Sequence, residues 1–203
     1  MHGDESGVID LVTEFLKTHK KDLPNFLYIP CVSPSAVKLK TRQNKNEIDI
    51  NRSFFSNSKE EEVKAVMAIV SSYKFDFCVD FHEDREQKDF YLYESGNLAG
   101  TKCWNIFKKD INNLGVGLLS GIDDPSDPFL GYEISGGHRS FPPHKEGKYK
   151  EDNRTFWAWG MNRGIIKRYI EPEIPGKISK NKKKAVVEIF FHRILIPLTR
   201  ETN

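Results

Sequence analysis

The stretch FDFCVDF, residues 75–81, decides the fold that the sequence predicts, and it runs directly into His82. Aromatic and β-branched residues are dense in it, which predicts a central strand whose C-terminal end delivers His82. In open α/β sheets, sites lie at this end of the strands. His82 is therefore a candidate functional residue. The alternative is a histidine at a strand end whose ring only bonds a carbonyl oxygen.

Helical and strand periodicities alternate on both sides of this stretch, which predicts a layered α/β protein. A capping-box pattern, Ser58 followed by Glu61, begins one of the predicted helices. Helices are predicted over residues 8–22, 63–70 and 98–111 and around 186–194, and strands over 26–29, 90–93, 116–119 and up to Glu173. A loop through residues 33–35 is expected after the strand over 26–29.

Residues 121–153 break the alternation, because prolines and glycines interrupt a long polar stretch. Such a segment is typical of a lid or a binding loop. It contains His138 and His144, which could be read as ligands of a second metal ion. The flanking glycines and prolines favour surface loop histidines instead.

The chain has 203 residues, 38% hydrophobic and 30% charged, as expected for one globular domain spanning residues 1–203. Its 31 basic and 29 acidic residues nearly cancel, which argues against non-specific nucleic-acid binding. The run Lys182-Lys183-Lys184 is expected to be a solvated helix start. No membrane-spanning run or signal-peptide pattern is present, so a cytoplasmic protein without a nucleic-acid or membrane partner is expected. The oligomeric state stays open.

His2 and Glu5 form the pattern His-x-x-Glu at the entrance to the first predicted helix. This spacing lets an imidazole and a carboxylate converge on one cation from a tight turn. Such pairs also arise by chance, so a third ligand is needed, and His82 is the candidate.

A charged cluster, Asp49-Ile50-Asn51-Arg52, begins seven residues after Arg42 and lies between apolar residues. An arginine drawn into the core would be costly unless it met an anion. Arg52 is therefore either a receptor for a carboxylate or phosphate or one half of an Arg-Asp salt bridge that closes a loop. Spacing alone does not separate these interpretations.

Four motifs in one order, HGDE (2–5), TRQNKNEIDINRSF (41–54), a helix and DFHED (80–84), resemble the zinc carboxypeptidase family. The similarity is greatest to its short bacterial branch, the murein-tripeptide amidases and the succinylglutamate desuccinylase and aspartoacylase group. The resemblance implies a central mixed β-sheet with helices on both faces. It also implies that this chain lacks the strands that usually precede the His-x-x-Glu turn.

By this resemblance, His2, Glu5 and His82 bind Zn²⁺, and a water takes the fourth position, which is the composition of a catalytic zinc site. Asp49 matches the aspartate that bonds the first histidine and fixes its tautomer. Glu47 stands where the family usually has a glycine.

The resemblance also implies roles for three polar side chains in substrate binding and catalysis. Asn51 and Arg52 match the pair that binds the free carboxylate of the substrate. Arg42 matches the arginine that polarises the scissile carbonyl, a role that suits a permanently charged guanidinium.

The general base has three candidates. Glu173 stands in a Glu-x-Pro context before the final helix, as in the short branch, and is the preferred one. Glu171 is the second candidate. Glu188 resembles the strand glutamate of longer relatives, but the lysines before it and the apolar residues around it favour an amphipathic helix.

Three functions follow as alternatives. The first is a zinc carboxypeptidase that hydrolyses the terminal amide bond of a short peptide with a free carboxylate. The second is a zinc N-acyl-amino-acid amidohydrolase of the desuccinylase and aspartoacylase type. The third is a non-catalytic relative that acts as a binding module, since a sheet without its leading strands leaves an edge open to a partner.

Overall fold

A five-stranded mixed sheet lies at the centre of the computed structural model, which describes residues 1–124, 131–141 and 154–201. Its strands are β1 (Cys78–Val79), β2 (His82–Asp84), β3 (Tyr91–Glu94), β6 (His138–Ser140) and β7 (Tyr169–Pro175), and β4 (Gly121–Ile122) pairs separately with β5 (Glu133–Ile134). The helices are α1 (Gly7–His19), α2 (Pro34–Leu39), α3 (Glu61–Val70), α4 (Lys102–Asn113), α5 (Phe156–Asn162), α6 (Lys180–Phe190) and α7 (Ile196–Glu201). Short 3₁₀ turns lie at Gly3–Glu5, Lys20–Asp22 and Ile50–Arg52, and a π-helical turn, Phe191–Leu195, joins α6 to α7.

The longest strand, β7, has partners on both sides. On one side β1 and β2 run parallel to it, and His82 lies opposite Glu173. On the other side β3 runs antiparallel, with Tyr93 opposite Glu171, and β6 pairs in parallel with β3. The sheet is mixed, as predicted.

The two faces of the sheet pack against different helices. Ile170 and Ile174 of β7 are buried against α1, α4 and α6, whereas Tyr169 packs with α3 and α5. Because alternate residues of a strand point to opposite faces, Tyr169, Glu171 and Glu173 share the α3 and α5 face. The prediction of an α/β fold with helices on both faces is confirmed.

The four predicted helices are present as α1, α3, α4 and α6. The prediction of a capping box at Ser58 and Glu61 is wrong. The helix α3 begins at Glu61 after Glu60 without a side-chain cap, and the buried Oγ of Ser58 has no hydrogen-bond partner among the described residues.

The strand predicted over residues 75–81 lies at an edge of the sheet and is broken. Phe75 makes one isolated bridge to Ile166, β1 covers only two residues, and β2 starts at His82. The central position belongs to β7 and β3, because within the described residues β1 and β2 have a strand on one side only. The composition of this segment predicts a buried strand, but whether a strand pairs on one side or on both depends on the tertiary structure.

The strand predicted over residues 26–29 is also wrong. Among the described residues the segment has no strand partner, and Phe26 and Leu27 are 49% and 40% exposed. A short apolar run looks the same in sequence whether or not a neighbouring strand is there to pair with it.

The loop expected at residues 33–35 is the start of helix α2. Pro34 takes the first helical position, and the Oγ of Ser33 accepts a hydrogen bond from the backbone N–H of Ala36. A proline at the first position of a helix costs no hydrogen bond, since that N–H has no partner within the helix.

The strand predicted over residues 116–119 is reduced to one isolated bridge between Leu118 and Phe90. Within residues 121–153 the described parts contribute β4, β5 and β6, while His144 lies outside the described residues. None of the helices formed by the described residues is long and apolar enough to cross a lipid bilayer.

Candidate metal centre

Glu5 joins the two predicted histidine ligands. Its Oε1 lies 2.5 Å from Nδ1 of His2, and its Oε2 lies 2.7 Å from Nδ1 of His82. All three side chains are at least 90% buried, and their ligand atoms lie within 4.8 Å of one another. The fold thus brings together, across 77 residues of chain, the three residues that the sequence assigned to one metal ion.

A carboxylate also faces the outer nitrogen of each ring. Nε2 of His2 lies 3.1 Å from Oδ1 of Asp49, and Nε2 of His82 lies 3.3 Å from Oδ2 of Asp80. In metal sites, a histidine ligand usually donates its second ring N–H to such a group, which fixes the tautomer and the ring orientation. This donor set fits a metal ion that has one bond to Nδ1 of each histidine.

The electrostatics of the cluster favour a cation between these groups. Burial alone would raise the pKa of Glu5, but the charges of His2 and His82 hold it well below its usual range. Burial alone would lower the pKa of His82, but Glu5 and Asp80 raise it well above its usual range. A proton on the His82 ring therefore supplies positive charge that the buried carboxylates require, and a bound Zn²⁺ would supply positive charge at the same place.

A glycine allows the His2–Glu5 turn to dock against helix α2. A Cβ atom on Gly3 would lie 2.0 Å from the backbone carbonyl of Ala36, and the N–H of Gly3 donates to the carbonyl oxygen of Thr41 at 2.9 Å. No other residue type fits this approach. Both ring nitrogens of His2 make contacts, and the residue is 4% exposed. The first predicted ligand is therefore held in a defined position.

Asp49 contacts several members of the loop that the sequence assigned to substrate binding. Its Oδ1 contacts His2 and accepts a hydrogen bond from the N–H of Asn51 at 2.9 Å, while its Oδ2 accepts one from Nε of Arg42 at 3.0 Å. These partners hold the pKa of Asp49 below its usual range in spite of burial. The salt bridge that closes the loop is thus made by Arg42 with Asp49.

The remaining members of this loop are anchored to the protein. Asn51 is buried, and its Oδ1 accepts a hydrogen bond from the N–H of Phe156 at 3.2 Å. Arg52 donates to the carbonyl oxygen of Asn51 at 3.0 Å. Glu47 adopts φ 60°, a conformation that a glycine takes without strain, so the loop keeps the left-handed turn although the residue differs from the family pattern.

The preferred general base, Glu173, lies on β7 opposite His82 and is partly buried. Burial raises the pKa of Glu173 well above its usual range, and Glu5 and Glu171 add to the effect against the opposing charge of His82. A dication at the cluster would favour the ionised carboxylate. The charge on Glu173 therefore depends on the charge of the cluster formed by His2, Glu5 and His82.

The two other candidates for the base are in different surroundings. Glu171 is buried and accepts a hydrogen bond from the hydroxyl of Tyr169, so that oxygen is already used. Glu188 lies on the amphipathic helix α6, as predicted from the lysines that precede it. Glu171 brings a carboxylate oxygen within 4.8 Å of the ligand atom of His82, whereas Glu173 is the cross-strand neighbour of His82, so the choice between them as the base stays a prediction.

His138 belongs to a separate polar cluster. Its Nε2 lies 2.9 Å from Oε1 of Glu94, whose other oxygen accepts a hydrogen bond from Arg168 at 3.1 Å. The histidine is half-buried rather than at the surface, and its hydrogen bond with Glu94 connects β6 to the end of β3. It joins neither group of candidate metal ligands formed by the described residues.

A cavity of about 380 Å³ lies between α1, the segment 23–32 and β1. His2, Glu5 and Asp80 line one end of it, and most of its other lining residues are apolar. Arg42, Arg52 and Glu173 do not line it. The cavity therefore reaches the metal cluster from a side other than the predicted substrate site.

Sequence reasoning missed Asp80. The signal was present, because Asp80 and His82 are two residues apart in an extended segment and such residues share a face. In the sequence, Asp80 was considered only as the first residue of the motif DFHED (80–84).

Solved structures share this fold at low sequence identity. A protein of Shewanella baltica, provisionally named a metallopeptidase, aligns with a TM-score of 0.69 and 16% identity over 97% of this chain and 73% of its own. The chain has a carboxypeptidase-like fold. A metallo-carboxypeptidase from Burkholderia cenocepacia aligns with a TM-score of 0.61 and 17% identity over 98% of this chain. A succinylglutamate desuccinylase/aspartoacylase from Rhodobacter sphaeroides aligns with a TM-score of 0.51 and 15% identity over 95% of this chain.

This chain spans 55% of the length of the Burkholderia protein and 53% of the Rhodobacter protein. No protein-family profile and no curated protein sequence matches it. The carboxypeptidase-like fold thus rests on structure, and any activity has to be argued from the residues of this chain.

Proposed function

We propose that this protein is a zinc-dependent hydrolase that cleaves the terminal amide bond of a short peptide bearing a free carboxylate. The observation that carries the proposal is the buried cluster in which Glu5 contacts Nδ1 of both His2 and His82. Two imidazoles and one carboxylate are the protein ligands of a hydrolytic zinc site with a position left for water or substrate.

When bound, Zn²⁺ lowers the pKa of a water molecule and polarises a substrate carbonyl. The chain must then supply the proton transfers. Glu173 lies beside the cluster on β7 and would accept a proton from the attacking water and return it to the leaving amine. The parallel pairing of β2 with β7 fixes the spacing between this base and the metal ligands.

The loop around Asp49 would bind and polarise the substrate. Arg42, held at Nε by Asp49, is assigned to the scissile carbonyl, where a fixed positive charge stabilises a developing oxyanion. Asn51 and Arg52 are assigned to the free carboxylate, which would hold the terminal amide bond over the metal ion and make the enzyme an exopeptidase. Because Oδ1 of Asn51 is already bonded to Phe156, its Nδ2 is the atom that would donate to the substrate.

A second candidate is hydrolysis of N-acyl amino acids. It is favoured by the likeness to the desuccinylase/aspartoacylase of Rhodobacter sphaeroides, a name that implies such substrates. Both reactions need the same metal cluster and the same base. They differ in which end of the substrate carries the anion that Asn51 and Arg52 would meet.

Measurement of zinc binding tests the metal site that both proposed reactions require. The purified chain is expected to bind about one equivalent of Zn²⁺, and Glu5→Gln and His82→Ala are each expected to abolish stoichiometric binding. Glu188→Gln on α6 serves as the control and should bind like the wild type. Wild-type protein that binds no zinc when the metal is added would contradict the proposal and favour a non-catalytic binding module.

Substrate comparison separates the two reactions. Dipeptides with a free carboxylate are expected to be hydrolysed faster than the same peptides with an amidated C-terminus, and Arg52→Ala should reduce that preference by raising KM for the free acid. Preferential hydrolysis of N-acetyl or N-succinyl amino acids would instead identify an amidohydrolase.

A further inference from the structure

Asp80 and His82 form a second carboxylate-imidazole pair behind the proposed metal site. Oδ2 of Asp80 lies 3.3 Å from Nε2 of His82, and the side chains are 13% and 3% exposed. Within the described residues neither atom has a hydrogen-bond partner, because the two atoms face each other at 3.3 Å without the alignment of a hydrogen bond. A buried donor and a buried acceptor without partners are unfavourable, so each atom is the natural partner of the other.

We propose that Asp80 is a positioning residue that holds the proton of His82 on Nε2 and thereby leaves Nδ1 as the metal-binding atom. The inference rests on the proposed zinc site and goes beyond it, because it assigns a function to a residue outside the ligand set. A neutral imidazole carries its proton on one nitrogen only. A carboxylate beside Nε2 selects the tautomer in which that nitrogen is protonated.

The backbone fixes Asp80 for this role. Its N–H donates to the carbonyl oxygen of Ile170 at 3.1 Å, so the residue is tied to the central strand although it lies between β1 and β2. The aspartate and the histidine are two residues apart in this extended segment, which places them on one face.

A carboxylate faces Nε2 of each histidine ligand, with a hydrogen bond formed at His2 and an ion-pair contact at His82. Asp49 contacts Nε2 of His2 at 3.1 Å, and Asp80 contacts Nε2 of His82 at 3.3 Å. One carboxylate comes from the loop before α3 and the other from the edge of the sheet. The site is therefore supported by carboxylates from both sides, and each acts on a different ligand.

One competing interpretation places a cation directly on Asp80. Asp80, His82 and Glu171 also bring ligand atoms within 4.8 Å of one another. A metal ion held by that group would not depend on His2 or Glu5, whereas the proposed site does. Zinc binding that survives Glu5→Gln and His2→Ala would therefore overturn the positioning role.

The first test is the zinc affinity of the 203-residue chain, measured by competition with a chelating dye. Asp80→Asn is expected to weaken binding by about 10- to 100-fold, the usual effect of removing a carboxylate behind a histidine ligand. Asp80→Glu, which keeps a carboxylate where asparagine keeps only a neutral amide oxygen, should recover part of the affinity. Asp76→Asn is the matched control, since that side chain is 62% exposed and pairs with Lys167, and it should leave the affinity unchanged.

The second test reports on the proton itself. Nitrogen-15 NMR of histidine-labelled, zinc-loaded protein is expected to show His82 protonated at Nε2, with that tautomer lost or mixed in Asp80→Asn. A wild-type spectrum with the proton on Nδ1 would overturn the proposal even if the variant failed to fold.

The outcomes separate this inference from the proposed function. If the wild type binds zinc through Glu5 and Asp80→Asn binds it equally well, Asp80 has no positioning role and the hydrolase proposal stands. If the wild type binds no zinc, both fall together.

Discussion

His82 and Glu173 are cross-strand neighbours in the parallel pairing of β2 with β7. One belongs to the candidate metal cluster and the other is the candidate base, so the sheet register sets the distance between the two functions. Since a one-residue slip in register turns a side chain to the opposite face of a sheet, the pairing also decides that Glu173 rather than Ile174 lies beside the cluster.

Replacement of Glu173 should separate chemistry from metal binding. Glu173→Gln is expected to lower kcat by about 10²- to 10⁴-fold, the usual contribution of a general base, while zinc affinity changes little. Steady-state kinetics and metal titration on the same preparation check this. Glu171→Gln should have a smaller effect on kcat, and the reverse order would reassign the base.

Gly3 should be intolerant of a side chain. Gly3→Ala forces a Cβ atom to within 2.0 Å of the Ala36 carbonyl, and such overpacking typically costs about 1–3 kcal/mol. Because the turn carries His2 and Glu5, zinc affinity is expected to fall as well. Urea unfolding and metal titration measure the two effects.

Gly100→Ala is the matched control for this change, since the nearest atom to its Cβ lies 3.7 Å away. It is expected to leave both the free energy of unfolding and the zinc affinity close to wild type. Gly3→Ala protein with wild-type stability and affinity would show that the turn is not held as tightly as its contacts indicate.

Glu94 should make stability depend on acid pH. Although burial alone would raise the pKa of Glu94, hydrogen bonds from His138, Leu98 and Arg168 hold it below its ordinary value. A carboxyl whose pKa is lower in the folded state stabilises the protein above its unfolded pKa, and this contribution is lost as the pH falls through the folded pKa.

Glu94→Gln is therefore expected to lower the free energy of unfolding by about 2 kcal/mol at pH 7, since several charge-assisted bonds weaken together. The difference from wild type should shrink as the pH falls below about 4, the ordinary pKa of a glutamate, because the unfolded wild-type chain then takes up a proton and the folded chain follows at a lower pH. Urea unfolding at a series of pH values checks this. A difference that grows toward low pH would contradict the assignment.

Two apolar residues from predicted strands should behave differently. Ile170 of β7 is fully buried, whereas Phe26 is 49% exposed and lies outside the sheet. Ile170→Ala is expected to cost about 2–5 kcal/mol, and Phe26→Ser about 0.5 kcal/mol or less. Chemical denaturation measures both. Equal losses would mean that the segment around Phe26 packs as a buried strand after all.

Much of the fold could be predicted from local patterns. Helical spacing of apolar residues located α1, α3, α4 and α6, because an amphipathic face shows in the sequence itself. Strand positions were less well predicted. In the part of the chain that the structure describes, the run around Cys78 lies at an edge of the sheet instead of its centre, and the run beginning at Phe26 pairs with no strand. A strand depends on neighbours that are distant in sequence.

The candidate site likewise contains residues that the sequence predicted and a contact that it did not. The motifs and their resemblance supplied His2, Glu5 and His82, and the structure brings them into contact. The contact of Asp80 with His82 was not predicted, because their spacing places both side chains on one face but does not show that the carboxylate reaches Nε2 of the ring.

The sequence by itself determined which chemical groups this protein has and which segments become helices, because residue type and local spacing are fixed along the chain. Only the tertiary structure decided that Glu5 lies between two imidazoles, that β7 places Glu173 beside them, and that Asp80 stands behind His82. These relationships join residues up to 91 positions apart (82 to 173) and exist only after the sheet has fixed its register and the cluster has been removed from water.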